Sequence, residues 1–534
     1  MQVHLSPKHK IVGVPLGGDD AALKNLFPKA PLHTLNGTDV LLINHSEAET
    51  YMLRQLGFDV PAPILTQYSF PTPPGMAPFE VQKKTCALLT MAQRAYVLNG
   101  MGTGKTKCAL WSWDYLKRHN RANKMLVVCP RSTMTFTWVR EALQVCPDAK
   151  VVVLHGHSKK YRLAKLAEDA DIYVINHDGI KVLHKELMGR LKKNDIDVIC
   201  IDELAKYRNK SDRTKVMAAM AAVTPWVWGM TGSPMPHEPT DVYYQCKVVT
   251  PTSVPKYYSH FENMLMNRMS NGTFTKLFPK PDAIDRAYEA MQPAVRFTID
   301  EVVELPECVE RYVDVDMGTR QLKVYKDIVN HCQALTANGD LVTAANAGAA
   351  MNKLLQISLG WVYGTDTAGA PVVHSLDNNL RIEALIDAIN STTNKVLVFV
   401  PFKHALQGIS DALLVERIDH AVVSGDTPDK ERNRVFNLFQ NTTKYSVLAA
   451  HPECLAHGIT LTAADTVVWF GPITSNETYD QANHRIKRVG QLHKQQIIHL
   501  QSTAVERRIY ASLRKQADVQ TNFLQMFADT NMEW

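Results

Sequence analysis

What most limits the fold of this chain is the repetition of short, unbroken apolar runs. Between residues 78 and 250 they are "AYVLNG", "KMLVVCP", "KVVVLHG", "DIYVIN", "DVICIDE" and "WVWGMTGSP". A strand with one wet face alternates apolar and polar residues, whereas a run apolar throughout belongs to a strand buried on both faces. Helical patterns separate the runs and supply the crossovers that parallel strands need. The expectation is a parallel sheet with helices on both sides. The rhythm lapses after residue 250 and returns with "KVLVFVP", "HAVVSG", "YSVLAAHP", "DTVVWFG" and "QIIHLQS". A second α/β block is therefore expected.

The remaining segments read differently. Ahead of the first block, "DVLLINHSEAETYMLRQLGF" reads as one strand then one helix, and the Pro-rich "SFPTPPGMAPF" as a linker. Between the blocks lie an amphipathic helix candidate at 319–335, "TRQLKVYKDIVNHCQAL", and the small-residue run "TAANAGAAMNKLLQI". We expect a small α/β accessory domain at 1–75, a first block at 76–250, a helical insertion and crossing segment at 251–377, and a second block at 378–534.

Composition excludes several classes. With 45% hydrophobic and 21% charged residues over 534 positions, the chain supports more than one core and is not a disordered polyelectrolyte. Nine cysteines, an odd number with no C-x-x-C pair, argue against a disulfide framework and for buried thiols in a reducing compartment. No stretch reads as membrane-spanning, and the N-terminus lacks the apolar run of a signal peptide. A net charge of +6 is compatible with a polyanion partner without requiring one. His451, Cys454 and His457 in "HPECLAH" have ligand-like spacing, but no second cluster completes a zinc site, so they read as a loop. The aromatic clusters "LWSWDYL" and "TPWVWGM" read as core.

The first block carries a phosphate site. "AYVLNGMGTGKTKCALWSWDYLKRH" sets a strand, a glycine-rich loop and a helix in that order. Gly102, Thr103 and Gly104 bring backbone N–H groups to phosphate oxygens at a helix N-terminus. Lys105 is expected on the β- and γ-phosphates of ATP and Thr106 on Mg²⁺. Asn99 stands where the loop's first glycine is usual. The strand "DVICIDE" ends in Asp202, expected to hold Mg²⁺ through water, and Glu203, expected to polarise the attacking water. These residues together point to ATP hydrolysis.

A third constellation lies in "YDQANHRIKRVGQLHK". At 3.6 residues per turn, Gln481, Arg485 and Arg488 share one face, while Ala482, Ile486 and Val489 form an apolar one. The first face is expected to meet ATP, with His484, Lys487 and Lys494 left for solvent or DNA.

In this order the motifs resemble those of a helicase superfamily II ATPase of the Swi/Snf type, from about Pro78 to Gln516. Gln82 in "PFEVQKK" resembles the glutamine that reads adenine. "VVCPRSTMTFTWVREAL" resembles the segment that touches a DNA phosphate, with Arg131, Ser132 and Thr133 opening a helix and Trp138 at a packing position. "MTGSPMPHEPTDVYYQ" resembles the motif that couples hydrolysis to movement, through Thr231, Gly232, Ser233 and Pro234. "RFTIDEVVELPECVERYVDVDMGTRQLKVY" resembles the crossing between lobes. "AHGITLTAADTVVWFGP", with Gly458 as a nucleotide-site candidate, precedes "QANHRIKRVGQ", which matches the pattern Q-A-x-x-R-x-x-R-x-G-Q at every fixed position. The chain departs from the family in lacking a histidine in "LAKYRN", and in having Thr460 for a frequent asparagine and Thr474 for a common tryptophan.

The resemblance implies two tandem RecA-like lobes and a monomeric motor that hydrolyses ATP with Mg²⁺. Arg485 and Arg488 would offset charge on the transferring phosphoryl group. It further implies movement along double-stranded or forked DNA, with Lys403 and His404 as second-lobe contacts to the backbone. The N-terminal segment resembles the accessory region of annealing-helicase relatives, so it either reads forks or buttresses the motor. The compact length suggests the cytoplasm of a bacterium or phage-infected host. Two alternatives stand beside this: a motor that uses RNA or strips proteins from DNA, and a slow, nucleotide-gated DNA-binding protein.

Overall fold

In the computed structural model the apolar runs become two wholly parallel sheets. The structure describes residues 3–17, 20–35, 37–270, 275–302, 305–331, 333–335, 341–343, 347–365, 371–455, 461–488 and 490–529. The chain forms two compact units, Met1–Val302 with Gln520–Trp534, and Val303–Val519. Among the described residues no helix is long and apolar enough to cross a membrane.

The first unit's main sheet has seven strands in the order Ala294–Val295, Arg94–Val97, Trp226–Met230, Val198–Asp202, Met125–Cys129, Ile172–Asn176, Val151–Val153. All six expected strands are present. The seventh, Ala294–Val295, is too short to give a sequence signal and pairs with Tyr96 and Val97 at the sheet edge. Alternate residues fill two cores. Tyr96, Ile199, Ile201 and Val227 face one, and Val97, Cys200, Trp226 and Trp228 the other. Burial on both faces is what the unbroken apolar runs require. The tryptophans of "LWSWDYL" and "TPWVWGM" are buried as well.

The N-terminal segment forms a four-stranded antiparallel sheet, His4–Ser6, Ile11–Pro15, Thr38–Asn44, Leu32–Leu35. The expected strand and helix are Thr38–Asn44 and Glu47–Gln55. This domain is fastened to Lys105–Arg118, the helix that follows the phosphate loop. The Glu47 carboxylate accepts from Tyr115 Oη at 2.8 Å and from Arg121 Nη1 at 2.7 Å. Tyr68 Oη donates to Asp114 Oδ2 at 2.6 Å, and Trp111 Nε1 to the Pro71 carbonyl at 2.8 Å. Glu47 is buried, so its two partners hold a charge that would otherwise be costly to desolvate.

The section expected to be a helical insertion is helix-rich but also supplies strands. Helices at Tyr258–Leu265 and Ala283–Ala290 flank a hairpin, Met266–Ser270 with Thr275–Pro279, and Ala294–Val295 closes the first sheet. The amphipathic candidate is a helix over Thr319–His331, and the small-residue run a helix over Ala347–Ser358. A four-stranded antiparallel sheet, Gln333–Leu335, Leu341–Thr343, Trp361–Thr365, Pro371–Ser375, accompanies them. Its strands are too short and interrupted to stand out as a period-two pattern.

The second unit's sheet runs Cys308–Asp314, Gln495–Gln501, Ala464–Trp469, Lys395–Phe399, Val447–Ala450, His420–Val423, again all parallel. The five expected strands are present, and Cys308–Asp314 joins as an edge strand. A buried arginine ties the helices to this sheet. Arg381 donates to the carbonyls of Phe470, Leu500 and Ser358 and to Glu506 Oε1 at 2.7 Å. Glu506 and Thr503 cap the last helix reciprocally, Glu506 Oε2 taking the Thr503 N–H and Thr503 Oγ1 the Glu506 N–H. Every guanidinium nitrogen of Arg381 has a partner, the condition under which a buried ion pair is tolerated.

Candidate active site

The phosphate loop follows from two glycines and a helix start. Gly102 and Gly104 both have φ near +80°, the left-handed region open to glycine, and the helix Lys105–Arg118 begins at once after them. At Gly104 a Cβ would fall 2.3 Å from Gln82 Nε2, so the loop is closed over by that side chain. Gln82 is buried, donates to the Thr103 carbonyl at 3.0 Å and accepts the Phe79 N–H at 3.0 Å. Its amide is therefore engaged with the loop itself. Lys105 Nζ donates to the carbonyls of Asn99 at 2.8 Å and Gly100 at 3.0 Å. Asn99 is 1% exposed. Its Nδ2 donates to Thr85 Oγ1 at 2.9 Å and its Oδ1 accepts the Phe297 N–H at 3.0 Å. The residue that breaks the glycine pattern thus has a structural task.

Asp202 and Glu203 close the strand Val198–Asp202 beside the loop. Burial pushes the Asp202 carboxyl above the ordinary carboxylate range, against the pull of the Trp138 N–H and the Lys105 charge. Trp138 Nε1 donates to Asp202 Oδ2 at 3.0 Å, a bond its reading as a packing residue missed. Nothing in the sequence brings that indole to the strand end, 64 residues further on. Glu203 has φ +66°, strained for a residue with a side chain. Its Oε1 accepts from Thr231 Oγ1 at 2.9 Å, and Thr231 Oγ1 also takes the Ser233 N–H at 3.1 Å. The segment "TGSP" is thus linked directly to Glu203. Thr106 sits in the first turn of the helix with its side chain buried. The Thr106 hydroxyl and the Asp202 carboxylate are oxygen donors of the kind taken by Mg²⁺, a hard cation that keeps most of its waters.

The DNA candidates of the first unit separate. Arg131 is exposed and Ser132 half-buried, while Thr133 is buried with Oγ1 on the Pro130 carbonyl at 3.0 Å. Thr133 therefore braces the turn. The helix expected here opens as a wider π-helical turn, Met134–Val139, before an α-helix over Arg140–Val145. Such an extra residue per turn re-aims side chains, and here it carries Trp138, whose indole reaches Asp202.

In the second unit the helix expected through Val489 is shorter. It spans Asn476–Asn483, opened by Ser475 Oγ accepting the Thr478 N–H. Beyond it the backbone leaves the helical pattern, with the Arg485 N–H on Ala482 O at 3.1 Å and further carbonyls tied elsewhere. Arg485 O accepts the Leu461 N–H at 3.1 Å, and Ile486 O accepts from Gln491 Nε2 at 3.3 Å. Residues 484–488 form turns, and Val489 lies outside the described residues. The spacing nevertheless survives. Arg485 Nε donates to Gln481 O at 2.8 Å and Arg488 Nε to His484 O at 3.0 Å, each four residues back. Gln481 and Arg485 are buried, and Ala482 and Ile486 enter the core as expected.

Other expectations are corrected. His484 does not face solvent: its Nδ1 sits on the Asp480 carbonyl at 2.9 Å, and burial lowers its pKa. His404 has both ring nitrogens buried, packs against Tyr363 at 4.4 Å between ring centroids, and is likewise lowered by burial. It is not presented to a DNA backbone. Lys403 is exposed and paired with Asp426. Lys494 is exposed, with Glu307 at 3.5 Å. Gly458, Thr460 and His457 lie outside the described residues. His451 Nε2 rests on the Pro401 carbonyl at 3.1 Å.

Two family models match successive stretches of the chain. Residues 88–359 match the model of the SNF2-related domain, and residues 380–492 that of the helicase conserved C-terminal domain. An uncharacterised ATP-dependent helicase of Mycoplasma genitalium is 22% identical over 396 residues, 73% of this chain and 36% of its own. A SWI/SNF-related matrix-associated actin-dependent regulator of chromatin, subfamily A-like protein 1, from Xenopus laevis is 23% identical over 407 residues, 74% of this chain and 39% of its own. This chain thus spans less than two fifths of either relative's length. The putative protein p41 of Acyrthosiphon pisum secondary endosymbiont phage 1 is 26% identical over 417 residues, 74% of this chain and 85% of its own. The SWI2/SNF2 ATPase core of Sulfolobus solfataricus, solved with double-stranded DNA, aligns at TM-score 0.40 and 19% identity, covering 87% of this chain and 96% of that one.

Proposed function

Because this chain belongs to the SNF2-related family, the Swi/Snf type of helicase superfamily II, we infer that it is an ATP-driven motor that moves along DNA. The observation that carries this reading is the 2.9 Å bond from Thr231 to Glu203. It joins the carboxylate suited to aligning the attacking water to the segment that resembles the coupling motif, so hydrolysis and movement share a hydrogen bond.

In this reading the N–H groups of residues 102–104 and Lys105 bind the phosphates of ATP. Thr106 and Asp202 would hold Mg²⁺, which when bound offsets charge on the phosphate oxygens. Glu203 orients the water. Arg485 and Arg488 stabilise the γ-phosphoryl group as it transfers, and Gln481 supports them. Ser233 relays the state of Thr231. Gln82 shapes the loop beneath the nucleotide before it meets adenine. Arg131 and Ser132 contact the backbone of the track, which we take to be duplex or forked DNA bound by one copy of the chain. The N-terminal domain acts first as a buttress, supported by Glu47, Tyr68 and Trp111 at the phosphate-loop helix.

ATP turnover measured with duplex DNA, forked DNA, single-stranded DNA and RNA tests the reading. Stimulation by duplex or fork is expected. Stimulation by RNA alone would replace DNA as the track, and none by any nucleic acid would leave a slow nucleotide-gated binder.

A further inference from the structure

Asn99, at the start of the phosphate loop, has no part in the proposed cycle. Both backbone groups of Phe297 are held by the pair Asn99–Gly100. The Phe297 N–H donates to Asn99 Oδ1 at 3.0 Å, and the Gly100 N–H donates to the Phe297 carbonyl at 2.8 Å. Upstream the same segment is laid along the strand Arg94–Val97, with Leu98 N–H on the Val295 carbonyl at 2.8 Å and Arg296 Nη1 on the Leu98 carbonyl at 2.6 Å. Phe297 lies five residues before Val302, where the first unit ends.

The carbonyls of the same two residues, Asn99 and Gly100, accept Lys105 Nζ. When a phosphate takes the ammonium, those carbonyls lose a charge-assisted bond, and the residues that grip Phe297 are the ones released. A glycine at 99 would leave the Phe297 N–H without its acceptor and Thr85 Oγ1 without the amide. We propose that Asn99 is a positioning residue that ties the nucleotide state of the phosphate loop to the segment leading out of the first unit. This rests on the reading of the chain as an ATP-driven translocase. The arm to Thr85, on the helix that carries Gln82, fixes the asparagine so that its Oδ1 stays aimed at Phe297.

The test uses the full chain as wild type, Asn99→Gly and Asn99→Asp, the last keeping an acceptor for Phe297. Hydrogen exchange of peptides containing Phe297 is followed with and without a non-hydrolysable ATP analogue. In the wild type, protection at Phe297 should change on nucleotide binding. In Asn99→Gly, exchange without nucleotide should rise about tenfold, the size expected for one lost buried hydrogen bond, and respond no further to the analogue. Analogue affinity should stay within about threefold, while distance moved per ATP, read by triplex displacement, falls about fivefold or more. Asn99→Asp keeps the acceptor for Phe297 but loses the arm to Thr85, so its Phe297 exchange should fall between wild type and Asn99→Gly and still respond to the analogue. Unchanged Phe297 exchange in Asn99→Gly overturns the proposal, as does movement per ATP equal to wild type. Loss of analogue binding as large as the loss of movement also overturns it, because the loop itself would have failed. A wild type that neither moves nor turns over ATP with DNA sinks the functional reading, and the exchange measurement still decides the role of Asn99.

Discussion

The phosphate loop and the arginine segment are held in place by different kinds of bond. The loop is shaped mainly by its own backbone: two glycines at positive φ, a helix that starts at Lys105, and Thr103 Oγ1 on the Gly100 carbonyl at 2.8 Å. Gln82 and Asn99 then brace a form that is already set. The arginine segment has turns rather than a helix after Asn483, with the Arg485 N–H on Ala482 O and the Arg488 N–H on Ile486 O. Those turns are tied to the rest of the unit by two distant bonds, Leu461 N–H to Arg485 O at 3.1 Å and Gln491 Nε2 to Ala464 O at 2.8 Å. A locally framed site tolerates loss of a brace, whereas one held by tertiary capture depends on each captor.

The largest expected effect tests whether the captured segment serves nucleotide at all. Arg488→Ala should lower ATP turnover by about three to five orders of magnitude, the usual range for an arginine that meets a transferring phosphoryl group. DNA binding at low salt should stay close to wild type, because backbone attraction is spread over many cations. Equal loss of DNA binding and hydrolysis would make this segment a grip on the track.

Next in size is the captor. Gln491 is buried, and its Oε1 also accepts the N–H groups of Leu492 and His493. Gln491→Ala removes the acceptor of these N–H groups and the side-chain donor to Ala464 O, so the second unit should lose about 1–3 kcal/mol in denaturant unfolding. Turnover should drop by about ten- to a hundredfold as the arginines lose their frame. If Gln491→Ala matched wild type in both, the segment would be framed locally after all and the contrast with the loop would be broken.

The same contrast explains what was legible in the sequence. The parallel sheets, the phosphate loop and the strand end at Asp202 follow from local rules, namely unbroken apolar runs and glycine conformations, and their residues lie where the sequence places them. The edge strands Ala294–Val295 and Cys308–Asp314 were not legible, since each is defined by its neighbour rather than by its own composition. The phasing of Gln481, Arg485 and Arg488 was correct in spacing but wrong in cause, because the helix stops at Asn483, where the Gln481 carbonyl takes the Arg485 side chain and the Arg485 N–H turns to Ala482 O. His404 and His484 look like surface cations in a polar stretch, and only the packed structure shows their rings turned inward.

The smallest expected effect sharpens the loop's side of the comparison, where a brace reaches Asp202, the carboxylate proposed to hold Mg²⁺, from outside the local frame. Trp138 is 1% exposed and gives its indole N–H to Asp202 Oδ2. Trp138→Phe keeps most of the buried ring and removes that one donor, so the fold should persist with a thermal midpoint near that of the wild type. Asp202 would then be free to turn from the orientation in which it meets Mg²⁺. The Mg²⁺ concentration that half-saturates binding of a fluorescent ADP should rise about tenfold, the scale of one hydrogen bond to a charged group. Binding of the same nucleotide in EDTA should be unchanged, because the loop's backbone and Lys105 hold the phosphates without Asp202. A rise in both would mean that the tryptophan supports the loop generally. No rise in either would mean that Asp202 is oriented by the strand end alone, making the first unit's site as locally framed as its glycines suggest.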